Sequence, residues 1–131
     1  MDISNLIARD GWSPDLVREL ERNRDNGRVG TKLVSETDDV RVWHLDVPPG
    51  ERFGFHCHVL NYFWTSLTHG KARSRYADGR VVEVSYEPGD TKHLQFAAGE
   101  ISWHDLENIG ATPLQFVTVE FKDSGNAALP I

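Results

Sequence analysis

The sequence has little cysteine, which argues against a secreted protein held together by disulfides. Cys57 is the only cysteine among 131 residues. A single cysteine cannot form a disulfide within the chain, as expected for a protein of a reducing compartment. The opening residues, MDISNLIARD, lack the basic region and apolar run of a secretory signal. We therefore expect a cytoplasmic protein.

Positive charge and long apolar runs are also scarce. Lysine and arginine number 14 against 20 acidic residues, which gives a net charge of −6. Proteins that bind nucleic acid normally carry an excess of basic residues. No apolar run approaches the roughly 20 residues that a membrane-spanning helix needs. These absences argue against nucleic-acid and membrane partners, and a chain of 131 residues suits one domain.

Helix signals are confined to the first 30 residues. Ser13 is followed by proline and aspartate, which together favour a helix start with serine as the N-cap. The Asn26-Gly27 pair predicts the helix end. An apolar stripe runs along one face between them: Leu16, Val17 and Leu20. We expect residues 1–30 to form a helical arm that lies against the rest of the chain.

From residue 31 the pattern changes to short strands separated by turns. The run Ala77-Asp78-Gly79-Arg80 is typical of a tight hairpin. About eight strands with no intervening helix indicate a sandwich or a barrel. We predict an all-β fold with a barrel over residues 31–122, followed by a loose C-terminal tail over residues 123–131.

Two histidines stand one residue apart in the run GFHCHVLNYF, at His56 and His58. On an extended strand, residues two apart point to the same face, so both imidazoles would face one side and Cys57 the other. Two imidazoles on one face can chelate one metal ion. A solvated pair on an edge strand is the alternative. A reactive role for the Cys57 thiol would need a lowered pKa, which the sequence does not indicate.

Two motifs resemble the signatures of the cupins, which are small jelly-roll barrels. The first has the spacing of one cupin signature and contains Gly50, His56, His58, Phe63 and Gly70. The second has the order of the other signature and contains Gly89, Asp90, Gly99, His104 and Asn108. The resemblance covers residues 31–122 and implies a single-domain, cupin-like jelly-roll barrel. The chain is also similar to small cupins associated with β-alanine breakdown.

The resemblance implies a metal site with an altered set of ligands. Phe63 stands where cupins usually place a glutamate ligand. What is left is His56, His58 and His104, similar to the three-histidine site of acetylacetone dioxygenase, a cupin that cleaves a β-diketone with ferrous iron. Imidazole suits several divalent transition metals. Fe(II) is favoured by the resemblance, and Zn(II) or Ni(II) would fit the same ligands.

The same alignment predicts which side chains shape the pocket. With Phe63 in the glutamate position, Phe63, Thr65 and Leu67 are expected to face the cavity. His93 and Gln95 share one strand face and would join the site if that face points inward. The sequence does not fix their direction. His44 and His69 are expected to be solvated.

A homodimer follows from the same orientation. If Phe63 points inward, Tyr62 and Trp64 form an outward apolar patch that needs cover. A second subunit would cover it, and the N-terminal helix of the same chain is the alternative.

Two functions fit a protein of this kind. One is an Fe(II)-dependent dioxygenase acting on a small β-dicarbonyl compound or oxo acid. The other is a non-catalytic cupin that binds a metal or a small-molecule ligand. The sequence assigns no catalytic side chain.

Overall fold

The structure is a computed structural model that describes residues 12–131. Residues 1–11 of the predicted N-terminal arm lie outside the described residues. In the described part, one short helix precedes nine strands, which form two antiparallel sheets. The predicted all-β fold with a short N-terminal helix is confirmed.

Helix α1 (Pro14–Arg22) begins where the sequence predicts and ends earlier. The Ser13 hydroxyl accepts a hydrogen bond of 3.3 Å from a backbone N–H of the first turn, which caps the helix. At the other end, the Asn23 amide donates to the Glu19 carbonyl at 2.8 Å. Asn23 therefore satisfies a carbonyl of the last turn before the chain reaches the predicted stop at Asn26-Gly27.

The nine strands form two sheets. In chain order they are β1 (Lys32–Glu36), β2 (Val40–Val47), β3 (Arg52–His58), β4 (Asn61–Ser66), β5 (Gly70–Arg75), β6 (Val81–Tyr86), β7 (Thr91–Leu94), β8 (Ser102–Asn108) and β9 (Leu114–Phe121). The five-stranded sheet has the order β1-β2-β9-β4-β7, and the four-stranded sheet has the order β3-β8-β5-β6. Strands β6 and β7 are therefore edge strands, one in each sheet.

Side chains of β3 alternate between two environments, as the period of a strand requires. Phe55 and Cys57 pack with Leu20 of α1 in an apolar cluster on the outer side of the four-stranded sheet. His56 and His58 point the other way, into the barrel. The helix therefore lies against the barrel, as predicted, and covers the back of the strand that carries both histidines.

A second apolar cluster lies between the two sheets. Its buried members come from β2, β5, β6, β8 and β9, and they are Leu45, Val47, Ala72, Tyr86, Leu106, Leu114 and Phe116. Contacts across the barrel of this kind hold the two sheets together through burial of apolar surface.

Arg52 of β3 links the helix to the neighbouring strand. Its guanidinium contacts Glu19 of α1 at 2.6 Å and Asp105 of β8 at 2.6 Å. Asp105 is fully buried and also pairs with Arg75 at 3.0 Å. A buried carboxylate is costly unless it is paired. This network therefore favours a single placement of β8. It also fixes the position of His104, the residue next to Asp105.

The C-terminal segment 123–131 is packed against the barrel, which corrects the prediction of a loose tail. The Asn126 amide donates to the Val59 carbonyl at 2.9 Å. Arg41 donates to the Leu129 carbonyl at 2.9 Å, and the Leu129 side chain packs against the cluster beneath α1. The sequence of residues 123–131 does not indicate this packing, because the contacts that hold the segment are made with residues far away in the chain.

Candidate metal centre

Three histidines from two adjacent strands converge inside the barrel. His56 and His58 lie on β3, and His104 lies on β8 directly opposite His56 in the strand register. One ring nitrogen from each histidine falls within 4.8 Å of the others. The Nε2 atoms of His58 and His104 are 3.0 Å apart. The structure thus brings together the three histidines that the sequence singles out.

His56 is held by the backbone in one tautomer. Its Nδ1 lies 2.9 Å from the carbonyl oxygen of Gly54. A carbonyl can only accept, so Nδ1 carries the proton and donates. The lone pair is then on Nε2, which is the form of histidine that binds a metal through that atom.

His58 and His104 are oriented by aromatic rings. Their Nδ1 atoms are buried and have no hydrogen-bond partner among residues 12–131. The Tyr62 ring stacks on His58 with centroids 4.2 Å apart and planes at 10°. Tyr76 stacks on His104 at 5.2 Å and 25°. Stacking therefore takes the orienting role that a hydrogen bond plays for His56.

Burial keeps the three imidazoles neutral. Desolvation lowers the pKa of His56 to about 4, against a weaker opposing effect of the Gly54 hydrogen bond. Desolvation also lowers the pKa of His58, and the adjacent His104 and His56 lower it further. The pKa of His104 is lowered by desolvation and by His56. Neutral imidazole is the form that binds metals, so the cluster is suited to metal binding at neutral pH.

The spacing of the His58 and His104 nitrogens is close to that of two ligands of one metal ion. Histidine nitrogens bind Zn(II) at about 2.0–2.1 Å, and two such bonds at the tetrahedral angle place the nitrogens about 3.3 Å apart. The Nε2 atoms of His58 and His104 are 3.0 Å apart, a few tenths of an ångström less. The donor set of three neutral nitrogens suits Fe(II), Zn(II) and Ni(II) alike.

A cavity of about 440 Å³ lies between the sheets, with the three histidines in its wall. All three tyrosines of the chain line it, together with aromatic and aliphatic side chains: Leu45, Tyr62, Trp64, Tyr76, Val82, Tyr86, Leu106 and Phe116. The edge strands β6 and β7 contribute exposed lining residues such as Val84 and Lys92. The cavity therefore opens between these two strands, and most of its wall is apolar.

Phe63, Thr65 and Leu67 do not line this cavity, which corrects the prediction for all three. The Phe63 ring packs against His93 at 5.2 Å and Phe121 at 6.0 Å, on the outer face of the five-stranded sheet. Leu67 is 51% exposed. A slip of one residue moves every side chain of a strand to the opposite face. Aligning Phe63 with the glutamate position introduced that slip.

Tyr62 and Trp64 occupy the inward positions of β4 instead. Tyr62 stacks on His58, and Trp64 contacts the rings of Tyr86 and Phe116 at 5.3 and 5.5 Å. The prediction that Tyr62 and Trp64 form an outward apolar patch is therefore wrong. The homodimer is no longer supported by such a patch and stays a prediction.

His93 and Gln95 lie away from the three histidines. His93 is exposed and contacts Phe63 on the outer face, while Gln95 is exposed just beyond the end of β7. The inward residues of this segment are Lys92 and Leu94, which line the cavity. The sequence left open whether His93 and Gln95 face the site, and the structure places both outside it.

The remaining histidines and the cysteine lie where the sequence predicts. His44 and His69 are exposed. Cys57 is 2% exposed, on the side of β3 opposite the two histidines. Burial raises the pKa of its thiol to about 12. A thiol in that state is a packing group and not a nucleophile.

A buried carboxyl group lies beside Tyr62 and was not predicted from the sequence. Glu120 of β9 is the strand partner of Tyr62 and shares its inward face. It is 3% exposed, and its Oε1 accepts a hydrogen bond of 2.7 Å from the Trp43 indole N–H. Burial raises the pKa of Glu120 to about 7. The inward alternation of β9, which ends at Glu120, was the signal that could have found it.

Solved structures of other proteins share this architecture. A cupin domain from Bordetella pertussis Tohama I is similar to this chain, with a TM-score of 0.61 and 24% identity, covering 70% of this chain and 90% of that one. A Klebsiella pneumoniae protein with a double-stranded β-helix domain has a TM-score of 0.57 and 28% identity, covering 76% and 79%. An RmlC-like cupin from Methanocaldococcus jannaschii has a TM-score of 0.53 and 19% identity, covering 72% and 84%.

The chain has the cupin fold. The sequence matches no known family model, and no curated protein matches it either. The cupin fold accounts for the placement of the three histidines on two paired strands that face the barrel interior. Among the described residues, helix α1 is far too short and polar to span a lipid bilayer.

Proposed function

We propose that this cupin holds one divalent transition metal through His56, His58 and His104. We propose further that it acts as an Fe(II)-dependent dioxygenase on a small β-dicarbonyl compound or oxo acid. One observation carries the proposal: three neutral imidazoles, two of them buried and that of His104 half-buried, converge in the wall of a cavity that is large enough for a small molecule.

The ligand set favours an anionic substrate. Within residues 12–131, the cluster contains three histidines and no carboxylate. Neutral ligands leave the full charge of a divalent ion in place, which attracts an enolate or a carboxylate. Three protein ligands also leave positions open for other molecules, as in catalytic metal sites.

The resemblance to acetylacetone dioxygenase favours Fe(II) over the other metals that fit. When bound, ferrous iron would supply the reactivity towards dioxygen that no side chain has. The chain itself would exclude water from that reaction. Tyr62, Trp64 and Phe116 form an apolar wall around the histidines, and a dry site limits side reactions.

The cytoplasm is the compartment that we propose for this protein. Cys57 is a free, buried thiol, and a ferrous site is more readily kept in a reducing environment.

Oxygen uptake by metal-loaded protein tests the proposal. The protein is stripped of metal, reloaded with Fe(II) in the absence of air and then exposed to dissolved oxygen. It should consume oxygen with at least one member of a panel of β-diketones and oxo acids. His58→Ala should abolish this uptake. His44→Ala is the matched control, because His44 is exposed and lies outside the cluster, and it should keep the uptake.

The opposite result separates the two functions. If the Fe(II)-loaded protein consumes no oxygen across the panel, the dioxygenase proposal is wrong. Binding of the same compounds without turnover would then identify a non-catalytic, ligand-binding cupin.

A further inference from the structure

Lys92 places a positive charge at the rim of the cavity. It lies on β7 directly opposite Trp64 of β4. Residues paired in this way share one face of a sheet. Trp64 points into the barrel, where it contacts Tyr86 and Phe116. The stem of Lys92 therefore lies on the inner side of the sheet, at the open edge.

The ammonium group of Lys92 is available to a ligand. Lys92 forms no ion pair and no side-chain hydrogen bond with any residue in the part of the chain that the structure describes. By contrast, Lys71 pairs with Glu83 at 3.8 Å and Lys122 pairs with Glu36 at 2.9 Å. A lysine left unpaired at the mouth of a cavity is a ready partner for an anion.

The one acidic residue among the described residues that line the cavity, Asp90, forms no ion pair with Lys92. Asp90 belongs to the turn before β7, and its Oδ2 accepts a hydrogen bond of 2.9 Å from the backbone N–H of Glu87. This carboxylate therefore stabilises the turn. Lys92 is the only lysine or arginine among the described residues that line the cavity, and its ammonium group forms no ion pair with the Asp90 carboxylate.

The strand register places the backbone of Lys92 one inward step away from the level of Tyr62 and His58. Leu94 pairs with Tyr62, which stacks on His58, and Lys92 pairs with Trp64, one inward position further along. One inward step along an antiparallel strand is roughly 6.8 Å. A ligand that reaches both the histidines and Lys92 therefore needs two polar ends separated by a short carbon chain.

Two buried residues with hydroxyl groups also line the cavity. Ser74 is 8% exposed and Thr118 is 5% exposed, and both line the cavity. Neither hydroxyl has a hydrogen-bond partner within residues 12–131. Such groups favour a ligand that carries oxygen atoms over a hydrocarbon.

We propose that Lys92 binds a carboxylate of the substrate, at the end remote from the metal. This inference rests on the proposed function and specifies its substrate class: a β-dicarbonyl or oxo acid with a distal carboxylate, in preference to an uncharged diketone. Lys92 is then a specificity-determining residue, while the histidines bind the chelating end.

A matched pair of ligands tests this assignment. Succinylacetone is a β-diketone with a distal carboxylate, and its methyl ester has the same chelating end without the charge. Their dissociation constants are measured by calorimetry with Zn(II)-loaded protein, in which no oxygen chemistry interferes. The acid should bind the unmodified protein about two- to fivefold more tightly than the ester, which is what one ion pair at a solvent-exposed rim provides.

Lys92→Gln should remove this preference and leave the affinity for the ester unchanged. Lys32→Gln is the matched control, because Lys32 lies on β1, at the opposite edge of the same sheet. The control should keep the full preference for the acid. Raising the salt concentration should weaken the preference in the unmodified protein and in Lys32→Gln.

The outcomes separate this inference from the proposed function. Equal binding of acid and ester to the unmodified protein, or an unchanged preference in Lys92→Gln, overturns the role of Lys92 alone. Failure of both compounds to bind metal-loaded protein overturns the proposed substrate class together with the role of Lys92. Preference for the acid without oxygen uptake by the Fe(II) form supports Lys92 and contradicts only the dioxygenase.

Discussion

The ring of Tyr62 lies almost parallel to the ring of His58, with centroids 4.2 Å apart and planes at 10°. Tyr62 therefore takes the inward position at the start of β4, beside the histidine cluster. This aromatic ring makes the wall beside the histidines apolar.

A carboxylate at position 62 should tighten metal binding. Tyr62→Glu places an anion beside His58, where it can replace a water ligand and neutralise charge on the metal. We expect the dissociation constant for Zn(II), measured by competition with a chelating dye, to fall by at least roughly tenfold.

Phe63→Glu is the matched control for this substitution. Phe63 contacts His93 and Phe121 on the outer face, so a carboxylate there should leave the affinity for the metal unchanged. Tighter binding by Phe63→Glu but not by Tyr62→Glu would show that the strand faces the other way. A cooperative thermal unfolding transition without added metal identifies the variants that keep their fold.

Glu120 should make the stability of the protein depend on pH. Burial raises its pKa from 4.5 to about 7. Between these values the folded chain keeps a proton that the unfolded chain releases, so stability falls as pH rises from about 4.5 to 7. The full loss is about 3 kcal/mol above pH 7, since one pKa unit corresponds to about 1.4 kcal/mol.

Glu120→Gln isolates this effect. The glutamine carbonyl can still accept the hydrogen bond from the Trp43 indole, but it does not titrate. The difference in the free energy of unfolding between the two proteins, measured by urea denaturation at several pH values, should shift in favour of Glu120→Gln as pH rises. A difference that stays constant from pH 4 to 8 would contradict the assignment.

Cys57 should be unreactive in the folded protein. Its side chain is 2% exposed beneath α1, and burial raises the pKa of the thiol to about 12. Because the thiolate is the reactive form, a thiol reagent at pH 8 should label the chain only in denaturant. Rapid labelling of native protein would show that α1 does not cover β3 as described.

The strand pattern and the His56–His58 pair were predicted from local regularities of the sequence, whereas the type of barrel and His104 were implied by the resemblance to cupins. The alternation of β3 places His56 and His58 on one face, and the second motif supplies His104. The sequence did not show in the same way which side chains of β4 face the barrel interior. This depends on how the chain turns between His58 and Tyr62, where one residue more or less exchanges the inward and outward faces of the strand.

Contacts between distant residues account for the other differences. Tyr76 and Lys92 reach the cavity only because β5, β6 and β7 fold back across the barrel, and neither belongs to a motif. Leu129 is likewise held by Arg41 from far along the chain. Such placements become visible only when the register of the sheets is known.

The metal content of the purified protein tests the central claim most directly. Elemental analysis of protein incubated with Fe(II) or Zn(II), and then freed of unbound metal, should give about one ion per chain. The variant with His56, His58 and His104 all replaced by alanine should give none, while His44→Ala should keep one. A metal content that is unchanged in the triple variant, or no bound metal in the unmodified protein, would contradict the three-histidine site.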